Sequence, residues 1–327
     1  MSGGERDVTA ATPEIVRVSR LDAARRIFAD NPAAMLTLVF IALFVVTDVV
    51  NRAQSGKAFI TPTQVSTTFL YAAPLALLAA GQTLVMLTGG VDLSVATTAT
   101  AGAFITSGTA GSGTATALLF ALALGLGIGL VNGAGVAIFR VNPLIMTLGV
   151  SSVTLGALTI YSQKRFVALV PNLVNTLGSA RFFKYVPYDL LVWVPIAALI
   201  ILGLRYSGFG RMVYAVGDNP VACRLAGVRV WQVQLLVYAL CGAFSAVAGI
   251  LLVGFNDAAD LGIASPFLLP SVAAVVIGGT SILGALILTV LDSLLTILNA
   301  SAAVKQMLYG AIILALAWLY SRTSSSD

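Results

Sequence analysis

Thr289, Asp292, Thr296 and Asn299 recur at offsets of three, four and three, which places all four on one face of a helix. The run around them is apolar. A charged group inside a membrane span costs on the order of 3 kcal/mol on insertion scales, so Asp292 must face the bundle interior or water. Two chemistries suit such a face: an interhelical hydrogen-bond network, or the polar wall of a solute path. A second carboxylate, Asp92, sits in GGVDLS at Gly89–Ser94, where two glycines interrupt the helical pattern. Either a broken helix lines a translocation path there, or Asp92 caps the next helix at a tight cytoplasmic turn.

No bond-making chemistry accompanies these residues. Histidine is absent, and the two cysteines, Cys223 and Cys241, have no metal or redox spacing and read as packing residues. HExxH and GxSxG are missing, so no catalytic residues and no metal ligands are assigned. Gly56–Lys57 lacks the glycine that a phosphate-binding loop needs five positions earlier. The chain is not expected to be an enzyme or to bind ATP by that device. Energy for moving a solute must come from an ion gradient or from another subunit.

The elements that position these residues are set by hydropathy. Of 327 residues, 58% are hydrophobic and 9% charged, and the mean hydropathy is +0.98, far from a soluble domain. Runs of roughly 20 apolar residues argue helices and not an outer-membrane barrel. The expected fold is all-α: a polytopic membrane protein of about ten spans, near 33–51, 64–88, 93–112, 114–139, 142–162, 189–206, 233–255, 268–283, 285–301 and 304–320. At least one span is broken. Residues 1–31 form a cytoplasmic amino-terminal arm, with Arg17, Arg20, Arg25 and Arg26 and no cleavable signal, and 32–327 form the membrane domain.

Both termini are expected in the cytoplasm. That topology puts Arg140, Arg205, Arg211, Arg224, Arg229 and Arg322 inside, and Arg52, Lys57, Lys164, Arg165, Arg181, Lys184 and Lys305 outside. The basic residues are scattered between spans, so the pI of about 9.4 serves topology and not nucleic-acid binding. Gly125, Gly129 and Gly133 form a smooth stripe for close helix packing.

One polar island remains, Gly208–Val228, inside a cytoplasmic loop over 207–232. Asn219 suits an N-cap, Pro220 the first helical position, and Gly227 a left-handed helix end. The helix between them is about two turns long and marginal alone, so Val221, Ala222 and Leu225 must rest on something outside the segment.

Four stretches in order carry a resemblance: GQTLVMLTGGVDLSV at 81–95, VNGAGVAIFRVNPLIMTLG at 131–149, GRMVYAVGDNPVACRLAGV at 210–228 and AAVVIGGTSILG at 273–284. Together they resemble the ribose/xylose/galactose-type permease subunits of bacterial ABC importers, a branch allied to branched-chain amino-acid permeases. The resemblance covers most of the chain from residue 64. It implies a multi-pass protein of the bacterial inner membrane that imports a monosaccharide or similar small polar solute by alternating access. It also implies a second permease subunit, the same chain or a similar paralogue, a cytoplasmic ABC ATPase carrying ATP and Mg, and a periplasmic solute-binding protein. No cofactor is bound by this chain itself, and its remaining partner is membrane lipid.

In such transporters a short cytoplasmic permease helix sits in a groove of the ATPase. Here that coupling helix is Asn219, Pro220, Val221, Ala222, Arg224, Leu225 and Gly227. Asp92, Thr289, Asp292, Thr296 and Asn299 are the candidates for the translocation path. Lys164, Arg165, Arg181 and Lys184 are the candidates for docking the binding protein. One departure stands out: similar permeases continue GGTS with a longer glycine-rich segment, whereas here Gly284 runs almost directly into the next span. The competing reading is an ion-coupled secondary transporter using Asp48, Asp92 or Asp292, and a more distant one a membrane scaffold.

Overall fold

The computed structural model describes residues 32–164, 169–278 and 282–324. The amino-terminal arm, Arg165 and most of the short connection before Gly284 lie outside the described residues. Thirteen α-helices follow one another among the described residues: α1 (Pro32–Ser55), α2 (Pro62–Leu87), α3 (Val95–Gly108), α4 (Thr114–Ala137), α5 (Pro143–Lys164), α6 (Asn172–Ser179), α7 (Leu190–Tyr206), α8 (Gly208–Asp218), α9 (Pro220–Leu225), α10 (Val230–Asn256), α11 (Leu268–Gly278), α12 (Ile282–Ile297) and α13 (Ala302–Ser324). The described strands are a two-residue antiparallel pair, β1 (Arg181–Phe182) and β2 (Val186–Pro187), in which Arg181 faces Pro187 and Phe182 faces Val186.

The architecture is that of a helical membrane protein, built on α10. This helix packs on α2, α3, α4 and α6. Lipid tails are as apolar as leucine, so close approach through small residues must hold such a bundle. The glycine stripe of α4 does this. A Cβ on Gly125 would lie 2.5 Å from the Gly242 carbonyl oxygen, one on Gly129 2.3 Å from that of Tyr238, and one on Gly133 2.9 Å from Leu235 Cα. Gly242 meets α4 from the other side, with a Cβ there 2.2 Å from the Gly125 oxygen. Only glycine allows this depth of contact.

Five described helices are long and apolar enough to cross a membrane, or six if α7 and α8, bent by 72° about Ser207, count as one span. The expected count of about ten is not reached on length. Among the described residues, the regions expected to span near 93–112, 268–283 and 285–301 form helices of 14, 11 and 16 residues, the last two each reaching the edge of the description at 279–281. At the rise of an α-helix, 14 residues cover about 21 Å, short of the roughly 30 Å of hydrocarbon. At 93–112 hydropathy marked the apolar stretch without fixing where turns cut it.

The interruption between α2 and α3 is one such cut. Gly89, at φ +80°, ends α2: its N–H donates to Met86 O at 3.0 Å and the Gly90 N–H to Val85 O at 3.1 Å. Four residues of non-helical chain then precede Val95.

Candidate functional site

The structure gathers Thr289, Asp292 and Thr296, but not Asp92 or Asn299, on one cavity of about 600 Å³. Its walls come from five α-helices, α11 contributing Pro270. α1 brings Asn51, α2 brings Gln64 and Tyr71, α12 brings Thr289, Asp292, Ser293 and Thr296, and α13 brings Tyr309. The volume lies within the roughly 300–1,000 Å³ usual for small-ligand sites. Asp292 Oδ1 lies 3.0 Å from Lys305 Nζ and accepts from the Tyr309 hydroxyl at 3.0 Å. Lys305 also donates to Thr296 Oγ1 at 2.7 Å. One oxygen of Asp292 is thus tied into an interhelical network on a cavity wall.

Asn299 leaves the set because α12 stops at Ile297. Asn299 takes φ +55°, its N–H donates to Thr296 O at 3.0 Å, and the Ala300 N–H donates to Leu295 O at 2.9 Å. It is a helix terminator in the left-handed conformation that asparagine tolerates, and no longer on the helical face.

Asp92 lies apart from this cavity. It is buried in a separate network, and the helix cap is Ser94, not Asp92. Asp92 Oδ1 accepts from the Ser94 N–H at 2.8 Å and from the Ser94 hydroxyl at 2.6 Å. Asn132 Nδ2 donates to Ser94 Oγ at 2.7 Å. Gln82 grips the Asp92 backbone from both sides, donating to its carbonyl at 2.6 Å and accepting from its N–H at 3.2 Å. The interrupted backbone is satisfied by side chains of its own chain.

At the C-terminal end of α2, the polar island folds as α8 and α9. Asn219 Oδ1 accepts from the N–H groups of Val221 and Ala222 at 3.0 and 2.9 Å, and Pro220 occupies the first turn. At the other end Gly227, at φ +82°, donates to Arg224 O at 3.1 Å while the Val228 N–H reaches Cys223 O at 2.9 Å. Both ends of this helix are therefore capped. Within it only Cys223 is buried, as a packing residue. Val221 is 56% and Leu225 86% exposed, and Ala222 and Arg224 are exposed beside them. The expected outside support for Val221, Ala222 and Leu225 is absent within the described chain. Those side chains form a bare, rigid prominence.

The basic residues of the other loop lie at the opposite end of α2. Arg181 donates from Nε to Ser66 Oγ at 2.8 Å and from Nη2 to Thr67 Oγ1 at 3.1 Å, and is half-buried. Lys184 is exposed, at φ +71°, with its ammonium 5.6 Å from the Tyr185 ring centre. Arg165 and the Lys164 side chain lie outside the described residues. α2 has 26 residues and is about 39 Å long, so the α9 prominence and this basic loop stand a membrane thickness apart.

Asp48, a candidate ion carboxylate, is already occupied. Its Oδ1 accepts from the N–H groups of Phe59 and Ile60 at 2.6 and 2.8 Å, and its Oδ2 pairs with Arg52 Nε at 2.6 Å. No group of three or more His, Cys, Asp or Glu able to hold a metal occurs among the described residues.

Asn51, Gln64, Tyr71 and Tyr309 were not read from the sequence as cavity residues. They come from three different helices, so no spacing links them to Asp292. Lys305 and Tyr309 carry the one available signal, an offset of four that sets both on the same face of α13.

A family described as branched-chain amino acid transport system / permease component matches residues 64–317. The chain is 29% identical to the ribose import permease protein of Bacillus subtilis (strain 168), over 88% of this chain and 92% of that one. It is 34% identical to the galactofuranose transporter permease protein of Escherichia coli (strain K12), over 74% and 72% of the two chains. With the ribose import permease protein of the same strain it shares 32% identity, over 75% and 81%. No solved structure matches it.

Proposed function

Because this chain belongs to the branched-chain amino acid transport system / permease component family, we propose that it is the membrane-spanning permease subunit of an ATP-driven importer. It is a multi-pass inner-membrane protein, and its cargo is a monosaccharide or a similar small polar solute. Relatives whose names specify ribose and galactofuranose support that cargo class. ATP and Mg reside on a separate cytoplasmic ATPase, and solute arrives from a periplasmic binding protein. A second permease subunit completes the path, which opens alternately to the two sides. Both termini and the α8–α9 segment face the cytoplasm.

The observation that carries this reading is α9. A two-turn helix capped at both ends, anchored through Cys223 and leaving Val221 and Leu225 bare, matches the helix-in-groove mode of recognition. α9 inserts into the ATPase, and its movement passes through α8 to α2. Thr289, Asp292 and Thr296 line the path at the far end, beside the loop whose Lys184 faces the binding protein.

The ion-coupled reading has less support from its three carboxylates. Asp48 is paired, Asp92 is enclosed, and Asp292 is neutralised by Lys305. The test is uptake of labelled sugar into proteoliposomes. Uptake is expected only when ATPase, binding protein and nucleotide are all present. Uptake by the chain alone on an ion gradient overturns the proposal.

A further inference from the structure

The interruption between α2 and α3 is held by hydrogen bonds that leave two buried neighbours unserved. The Gly90 N–H donates to Val85 O at 3.1 Å, and the Asp92 N–H to Gln82 Oε1 at 3.2 Å. Close to them, Tyr238 Oη and Asn132 Oδ1 have no hydrogen-bond partner among the described residues, although Tyr238 is 1% and Asn132 0% exposed. Both come from other helices, Asn132 from α4 and Tyr238 from α10. Each lies by one of the two residues. A Cβ on Gly90 would be 2.5 Å from Tyr238 Oη, and Asn132 Nδ2 is 3.5 Å from Asp92 Oδ1.

A buried hydroxyl without a partner is a cost that phenylalanine avoids at nearly the same shape. Two stranded acceptors beside two amides that are bonded elsewhere define an exchange. When the last turn of α2 unwinds, the Gly90 N–H passes from Val85 O to Tyr238 Oη. When Gln82 lets go, the Asp92 N–H passes to Asn132 Oδ1. One hydrogen bond replaces another, so the two arrangements stay close in energy, as a switching element requires. The surroundings permit the movement. Gly89, at φ +80°, is the pivot, and a Cβ there would meet no atom within 4 Å. The pivot is also driven from one side, because a Cβ on Gly217 of α8 would lie 2.0 Å from Leu87 O. We infer that residues 88–94 form a two-state hinge, and that Tyr238 and Asn132 are positioning residues that receive its amides in the second state. This inference rests on the permease reading, in which α8 passes on the movement of α9.

The test is hydrogen exchange over residues 86–95, read by mass spectrometry on the complex with its ATPase in nanodiscs, nucleotide-free and vanadate-trapped. In the wild type, exchange there is expected to differ at least fivefold between the two states. Tyr238→Phe removes no hydrogen bond of the resting state. Its melting temperature is therefore expected to be unchanged or higher, while the exchange difference shrinks below twofold and uptake falls at least fivefold. A Tyr238→Phe protein that imports at the wild-type rate, melts clearly lower, or keeps the full exchange difference overturns the inference. Wild-type exchange that is the same in both states also overturns it. ATP-dependent uptake by the wild-type complex reports on the permease reading separately.

Discussion

Gly217 of α8 is seated on the last turn of α2: a Cβ at Gly217 would lie 2.0 Å from the carbonyl oxygen of Leu87. Two residues beyond Leu87 is Gly89, where α2 ends and the chain turns toward Asp92. Two residues beyond Gly217 is Asn219, the cap of α9. The contact thus joins the exposed helix to the broken span with no space for slack. Gly217→Val must push α8 away from α2. The expected result is a complex that still retains its ATPase but loses at least tenfold in uptake per ATP hydrolysed, read by parallel uptake and phosphate-release assays. Tight coupling in the variant would show that force travels elsewhere.

Gln82 satisfies both backbone groups of Asp92. Gln82→Leu keeps the bulk and strands a buried N–H and a buried C=O, each worth about 1–3 kcal/mol. The variant is expected to unfold at clearly lower temperature in detergent, whereas Asn132→Ser, which can still donate one hydrogen bond, falls less. Thermal unfolding followed by tryptophan fluorescence measures both.

How legible this was differs by element. The α9 caps could be read directly, because Asn219, Pro220 and Gly227 act within a few residues of themselves. The face Thr289, Asp292, Thr296 was equally local, and failed only at Asn299, where a backbone turn ended the helix. Asp92 was read as a cap or as path lining because its partners, Gln82 and Asn132, lie on other helices. The cavity was illegible for the same reason, since Asn51, Gln64 and Tyr71 meet Asp292 only through tertiary packing. Helix length was the weakest inference: apolar runs continue through turns that glycine and asparagine make without changing hydropathy.

Asp189 lies just outside α7, buried, with neither carboxylate oxygen hydrogen-bonded. Burial pushes its carboxyl up to about 7. The native state therefore holds a proton that the unfolded chain, with an ordinary aspartate value near 4, releases. Stability is full below about pH 4 for this group and falls as pH rises to about 7, by on the order of 4 kcal/mol. Asp189→Asn is expected to raise the melting temperature at pH 8 and leave it nearly unchanged at pH 4.5. An equal effect at both values would contradict this.

Arg181 and Lys184 are expected to differ although both were read as docking charges. Arg181 is bonded to Ser66 and Thr67, so Arg181→Glu disturbs the start of α2 and lowers stability. Lys184 is free to meet an acidic partner, so Lys184→Glu leaves stability intact and weakens binding-protein-stimulated ATPase activity at low salt, with less effect at high salt. Stimulation unchanged at low salt would remove Lys184 from the interface.

In the proposed permease, α9 is the place where ATP hydrolysis enters the membrane domain. Val221 and Leu225 are bare in the chain, and burying such side chains in a partner groove contributes about 1.5–3 kcal/mol each. The direct measurement is retention of the ATPase on affinity-tagged permease carrying Val221→Asp and Leu225→Asp, with the melting temperature of the permease as the folding control. The expected result is at least a hundredfold loss of ATPase affinity with an unchanged melting temperature. Retention of the ATPase at wild-type affinity would contradict the account.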